Sequence, residues 1–300
     1  MKKYILFLLL VGSFCLAQTN RFIYAYKFVP DINEKDTVRK EMMLLDINEK
    51  GSLYYSHAKF VQDSLIKADF DRQISTGTNN VNINRSGRLV SVRYKVTKSY
   101  PDFEVFLIDQ IGEDRYKILE DEKLHWKIHA ETQKIGEYNA QKATASFGGR
   151  EWTAWFSKDI PFQDGPYKFH GLPGLIVKAE DSTGSHVMTL VANRKVAAEA
   201  QSTELVAPGM GSIFDSKQIN VDEKKFRKLW NDYLNDPAKG TREMMMKNSG
   251  PNQKVMIKVM TQDGKEITDI NEIYRTIEKR VQDYESKNNN KIEPSLYSRQ

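Results

Sequence analysis

Two adjacent glycines, Gly148 and Gly149, constrain this chain more than any other pair of residues. Both accept positive φ, so together they form the loop of a tight hairpin and fix the register of its strands. Phe147 then faces Arg150, Ala145 faces Trp152, Ala143 faces Ala154 and Gln141 faces Phe156. Small side chains oppose large ones, and the Trp152 indole has room beside Ala145. That face is the expected buried one, with Lys142, Thr144, Thr153 and Trp155 on the other. Trp155 beside Lys142 reads first as packing, and second as a cation–π pair or an aromatic platform for a ligand.

Turn chemistry of the same kind punctuates the first two thirds of the chain. Strands are expected over residues 21–29, 41–47 and 52–56, with Gly51 closing a turn that begins at Asn48. Hairpins follow for 81–84 with 88–98, for 103–109 with 115–120, and for 175–180 with 185–196. Residues 57–71 break the meander: Phe60, Val61, Ser64, Leu65 and Ala68 share one helical face behind a Ser56 cap. Later the period changes. Phe226, Leu229, Trp230, Tyr233 and Leu234 line an amphipathic helix that stops before Pro237. A flexible Gly-containing stretch and a short strand pair around Asp263-Gly264 come next. Ile270, Ile273, Tyr274, Ile277, Val281 and Tyr284 then line a second helix behind Asp269. The fold class expected is α+β: a largely antiparallel β-meander sheet, curved or half-barrel-like, with one early helix and C-terminal amphipathic helices packed against it. Residues 18–285 read as a single domain, and 286–300 as a polar, flexible tail.

The N-terminus carries an address. Lys2-Lys3 precede the apolar run Ile5-Leu6-Phe7-Leu8-Leu9-Leu10-Val11, which is shorter than the roughly 20 residues of a membrane span. Cys15 and Ala17 stand at the −3 and −1 positions of a cut before Gln18, so residues 1–17 read as a signal peptide. Bulky Phe14 before Cys15 disfavours a lipid anchor. Cys15 is the only cysteine, and cleavage would leave a chain without disulfides or thiol nucleophiles. The net charge of +5 falls to +3 once Lys2 and Lys3 are gone, with no basic block suited to nucleic acid. The expected location is the periplasm, the cell surface or outside the cell, with no transmembrane segment in the mature chain.

Residues 126–181 contain Ile135-Gly136-Glu137-Tyr138, Phe147-Gly148-Gly149-Arg150, Ala154-Trp155-Phe156, Gly165-Pro166 and Gly171-Leu172-Pro173-Gly174-Leu175-Ile176. This string resembles the GLPGLI family of secreted proteins, named for the last hexapeptide. The resemblance implies export, and supplies no activity, cofactor or catalytic residue to carry over. In physical terms Leu172-Pro173-Gly174-Leu175 suits a type II turn, and Asp164-Gly165-Pro166 a second bend. The loop between these bends is expected either to redirect the chain or to form a binding rim of Trp155, Tyr167, Lys168, Phe169 and His170.

Catalytic patterns are sparse. His57, His125, His129, His170 and His186 are the candidates for proton transfer near neutral pH. On a strand, His125 and His129 stand roughly 13 Å apart, too far to share a metal. Ser64-Leu65-Ile66-Lys67 lacks the companion motifs of penicillin-binding enzymes. Met244-Met245-Met246 reads as packing rather than a thioether site. The leading expectation is therefore a non-enzymatic envelope protein that binds a hydrophobic ligand, a peptide or an envelope partner, without a cofactor. The alternatives are an exported hydrolase whose residues converge only in the fold, and a metal-handling accessory protein.

Overall fold

A computed structural model describes residues 18–75, 90–197, 218–248, 259–260 and 266–298. The expected signal peptide, the 81–84 strand and the Asp263-Gly264 turn lie outside them. The described chain is mostly β, with several helices and one large mixed sheet that is not closed.

The first meander comprises β1 (Gln18–Phe28), β2 (Arg39–Asn48), β3 (Gly51–Ser56), helix α1 (His57–Ser75), β4 (Lys95–Ser99), β5 (Val105–Ile111) and β6 (Asp114–Leu119). The second comprises β7 (Lys127–Ile135), β8 (Tyr138–Phe147), β9 (Arg150–Ser157), β10 (Leu175–Asp181) and β11 (His186–Ala197). They meet where β1 pairs antiparallel with β11, which gives β1 a neighbour on each side. β12 (Ile219–Val221) joins β6 in parallel at one edge, and β7 forms the other edge. The C-terminal part adds α2 (Glu223–Asn235), α3 (Lys239–Asn248), the short pair β13 (Val259–Met260) and β14 (Glu266–Ile267), α4 (Ile270–Ser286) and α5 (Pro294–Tyr297).

The hairpin register read from Gly148-Gly149 is the register observed, from Phe147–Arg150 to Gln141–Phe156. Trp152 and Ala154 are buried as expected, and Trp155 on the other face is buried too. On the inner face of the sheet, Tyr24 donates to the Ile176 carbonyl at 2.8 Å and Tyr54 reaches Met188 Sδ at 3.5 Å, three strands away. Helix α1 covers the opposite face of β2 and β3. Its cap is the Ser56 hydroxyl, which accepts from the Lys59 N–H at 3.0 Å. Beneath it Arg21, Asp46 and Tyr55 form a buried ionic triad.

Asp222 caps α2 by accepting from Lys225 N, and Asp269 caps α4 by accepting from Glu272 N. Helix α2 buries Phe226, Trp230 and Leu234, with Phe226 edge-on to Tyr116 of β6. Within the stretch expected to be flexible before β13, Lys239–Asn248 forms α3, and residues 249–258 lie outside the described residues.

Two further expectations are corrected. Residues 286–300 were expected to fray, yet Asn290, Ile292, Glu293 and Leu296 are buried, because polar groups of this strap bond inward while Ile292 and Leu296 join the core. The hexapeptide turn is not type II. The Gly174 N–H donates to Leu172 O at 2.8 Å, and the Leu175 N–H leaves the turn to meet Ile160 O at 3.0 Å. Gly174 has φ 151°, and a Cβ there would lie 2.2 Å from the Ser157 carbonyl oxygen. Close approach of two backbones therefore dictates glycine at this position.

Candidate binding cavity

A cavity of about 370 Å³ lies between the sheet and the C-terminal part. Tyr26 on β1, His186 on β11 and Asp109 on β5 form its floor, together with Tyr94 from the segment before β4. Trp230 and Tyr233 of α2, Val281 and Tyr284 of α4, and Lys291 and Tyr297 of the strap enclose it. The sheet alternation that sends Tyr24, Tyr26 and Phe28 inward, or partly so, and the helical spacing of Trp230 and Tyr233 deliver these rings from elements distant in sequence.

The strap is latched over this space. The Arg150 guanidinium donates to the Lys291 carbonyl, to Asn290 Oδ1 and, at 2.9 Å, to Asp181. Asn290 in turn donates through Nδ2 to Val29 O and through its backbone N–H to Pro30 O. Asn289 donates to Asp31 at 2.8 Å. The Lys291 ammonium is then held 5.4 Å from the Trp230 ring centre, near Tyr284 and Tyr297, and 2.8 Å from Glu285.

Burial sets the protonation states inside. His186 is pushed down to about 3, first by desolvation and then by the nearby Arg150 charge, so its imidazole is neutral at neutral pH. Desolvation drives the Tyr26 hydroxyl far above the usual tyrosine range. The Tyr26 hydroxyl lies 2.7 Å from His186 Nδ1, and the imidazole tautomer sets the direction of the hydrogen bond between them. Asp109 accepts from the Tyr297 hydroxyl, and burial raises its pKa. Among the described residues, three buried polar atoms on residues that line the cavity have no hydrogen-bond partner of normal geometry: His186 Nε2, the Tyr94 hydroxyl and Trp230 Nε1.

A second buried cluster lies on the far side of the strap. Lys168 binds Glu120 and Glu293, and Glu223 at the start of α2 approaches both carboxylates. Burial, then the charge of Glu120, pushes Glu223 up to about 8. The three carboxylates come within 4.8 Å of one another, the spacing of a metal site, but the Lys168 ammonium already binds two of them.

The expected rim residues are interior. Trp155, Tyr167, Lys168 and Phe169 are buried, and His170 is half-buried, stacked 4.8 Å from Phe103. Phe169 is enclosed by the rings of Trp126, Phe147, Trp152 and Tyr167, which is why the loop turns inward. Leu172, Leu175 and Ile176 are core, while Gly171 and Pro173 are exposed. Of the histidines, His129 meets the Thr144 hydroxyl, His170 the Lys168 carbonyl and His186 Tyr26. Ser64 spends its hydroxyl on the Phe60 carbonyl within α1. Tyr94 and Tyr297 escaped sequence reasoning, which placed Trp230 on its helical face without connecting it to a cavity. Pro294 with Ile292 and Leu296 at spacing four was the available sign of a docked helical turn in the strap.

A family model described as a protein of unknown function (Porph_ging) matches residues 148–178, from the Gly-Gly loop into β10. No curated protein matches the chain. Two solved structures of PNGF-II, in space groups P21 and C2, are similar at 16% and 17% identity, with TM-scores of 0.45 and 0.42. They cover 71% and 69% of this chain, which spans 33% and 31% of theirs, about a third of their length.

Proposed function

We propose that the chain is an exported envelope protein of the GLPGLI type whose cavity binds a small, largely apolar organic molecule. The GLPGLI-like hexapeptide and the signal-like N-terminus support export. A curved sheet, half-barrel-like in its inner face, is part of the same reading.

The observation that carries the binding reading is the aromatic lining of one space, supplied by Tyr26, Tyr94, Trp230, Tyr233, Tyr284 and Tyr297 from elements far apart in sequence. A volume of about 370 Å³ suits a ligand of one or two rings.

Titration with anilinonaphthalene sulfonate, an aromatic anion, tests it. Saturable one-to-one binding by the folded protein is expected, lost in Val281→Trp, which fills the space. Failure to saturate, or undiminished binding by that variant, overturns the reading.

A further inference from the structure

Lys98 on β4 and Asp164 in the loop after β9 are in contact, and both side chains have 0% exposure. Their surroundings are organised on every side. Lys98 Nζ also donates to Gly165 O at 2.7 Å and to Phe169 O at 3.1 Å. On the carboxyl group, the Gly165 N–H donates to Oδ1 at 2.6 Å and the Tyr100 hydroxyl donates to Oδ2. Tyr24, fully buried, flanks the carboxylate.

Such a pair is costly as two charges, and proton transfer from ammonium to carboxylate yields a neutral amine beside a neutral acid. Desolvation lowers the Lys98 pKa, against the pull of Asp164, which favours that exchange. In the neutral form the amine has two N–H bonds and one lone pair. The carbonyls of Gly165 and Phe169 accept the two N–H groups, so the lone pair is left for the third direction, toward the Asp164 carboxyl. A desolvated lysine is a nucleophile, and the Gly165 N–H is placed to hold charge developing on the attacked oxygen. Fixing both groups in a dry interior replaces a bimolecular encounter with a unimolecular step.

We propose that Lys98 and Asp164 condense into an intramolecular isopeptide bond once the chain has folded. The Nζ–Cγ bond forms and the Cγ–Oδ2 bond breaks. One amine proton goes to the departing hydroxyl, relayed by Tyr100, and the hydroxyl leaves as water. Neither an oxidant nor a reductant takes part. The cross-link joins residues 66 apart in sequence and ties the first meander to the loop that feeds β10. In a chain whose single cysteine is Cys15, no intrachain disulfide can do this. The bond is independent of the cavity and its ligand.

The test is peptide mapping of the purified full-length chain, denatured and digested with trypsin. The expected product is a branched peptide joining the Lys98 and Asp164 segments, uncut after Lys98 and one water (about 18 Da) lighter than the two segments summed. Linear peptides with free Lys98 and unmodified Asp164 overturn the proposal and leave the pair a buried salt bridge. In Tyr100→Phe, which keeps the ring packing, the branched fraction is expected to fall at least tenfold shortly after refolding. An unchanged fraction overturns the relay and the oxygen assignment that goes with it.

Discussion

Arg150 and Lys291 are 141 residues apart, yet the guanidinium of the first holds the backbone carbonyl of the second through two nitrogens, at 2.5 and 3.1 Å. The side chain that opens β9 thus decides where the C-terminal strap lies, and so whether the cavity has a wall.

Replacing Arg150 with Met removes the latch and strands Asp181, whose side chain is 1% exposed, without its cation. Loss of one partner from a buried ion pair costs about 3–5 kcal/mol. Urea denaturation is expected to show a loss of that size, with faster hydrogen exchange at residues 288–297.

Two ionisable groups give the stability profile opposite slopes. His186 has a folded pKa of about 3, below the ordinary 6.5, so between those values the unfolded chain binds the extra proton and stability drops as pH falls. Glu223 has a folded pKa of about 8, above the ordinary 4.5, so between those values the folded chain binds the extra proton and stability drops as pH rises. In Tm measurements across pH 4 to 9, His186→Gln is expected to flatten the acid side and Glu223→Gln the alkaline side. If both variants keep the parent slopes, these assignments fail.

The two glycines of the hexapeptide separate strain from collision. Gly171 has φ 85° with nothing within 4 Å of an added Cβ, so Gly171→Ala costs only the left-handed backbone penalty of about 1–2 kcal/mol. Gly174→Ala drives a methyl into the Ser157 carbonyl and is expected to prevent soluble folding. Soluble yield and circular dichroism distinguish the two.

Lys168 and Lys142 make a similar comparison for charge. Lys168 is 1% exposed between two carboxylates, and Lys168→Met is expected to cost about 3–5 kcal/mol in urea unfolding. The Lys142–Glu131 pair is 26% and 62% exposed, and Lys142→Met is expected to change stability by less than about 1 kcal/mol.

Several local features were legible in the sequence, whereas the type II reading of Leu172-Pro173-Gly174-Leu175 was not borne out, because the Leu175 N–H bonds to Ile160 O across the loop. The Gly148-Gly149 register, the Ser56 and Asp269 caps and the helical face around Trp230 depend on residues a few positions apart, where spacing alone determines geometry. The interior of the 158–174 loop depends on distant partners: Lys168 is neutralised by Glu120 and Glu293, 48 and 125 residues away. Flanked by Gly and Pro, its aromatic residues resemble an exposed rim until those partners are known. The strap misleads through composition, because its asparagines look solvated but bond to Val29, Pro30 and Asp31. The cavity draws on β1, β5, β11, α2, α4 and the strap, and no window of sequence contains more than a fragment of it.

The place of β1 in the strand order bears on how the chain is made. Among the described strands β1 comes first along the chain, and β2, the next, is its neighbour on one side. Its other neighbour, β11, begins only at His186. Until β11 is in place, the first meander presents an open edge at β1, whose inward side chains include Tyr24 and Tyr26. An edge of that kind is a template for pairing with another nascent copy. The interval is a window in which a chaperone would protect the chain, and it closes when β11 arrives.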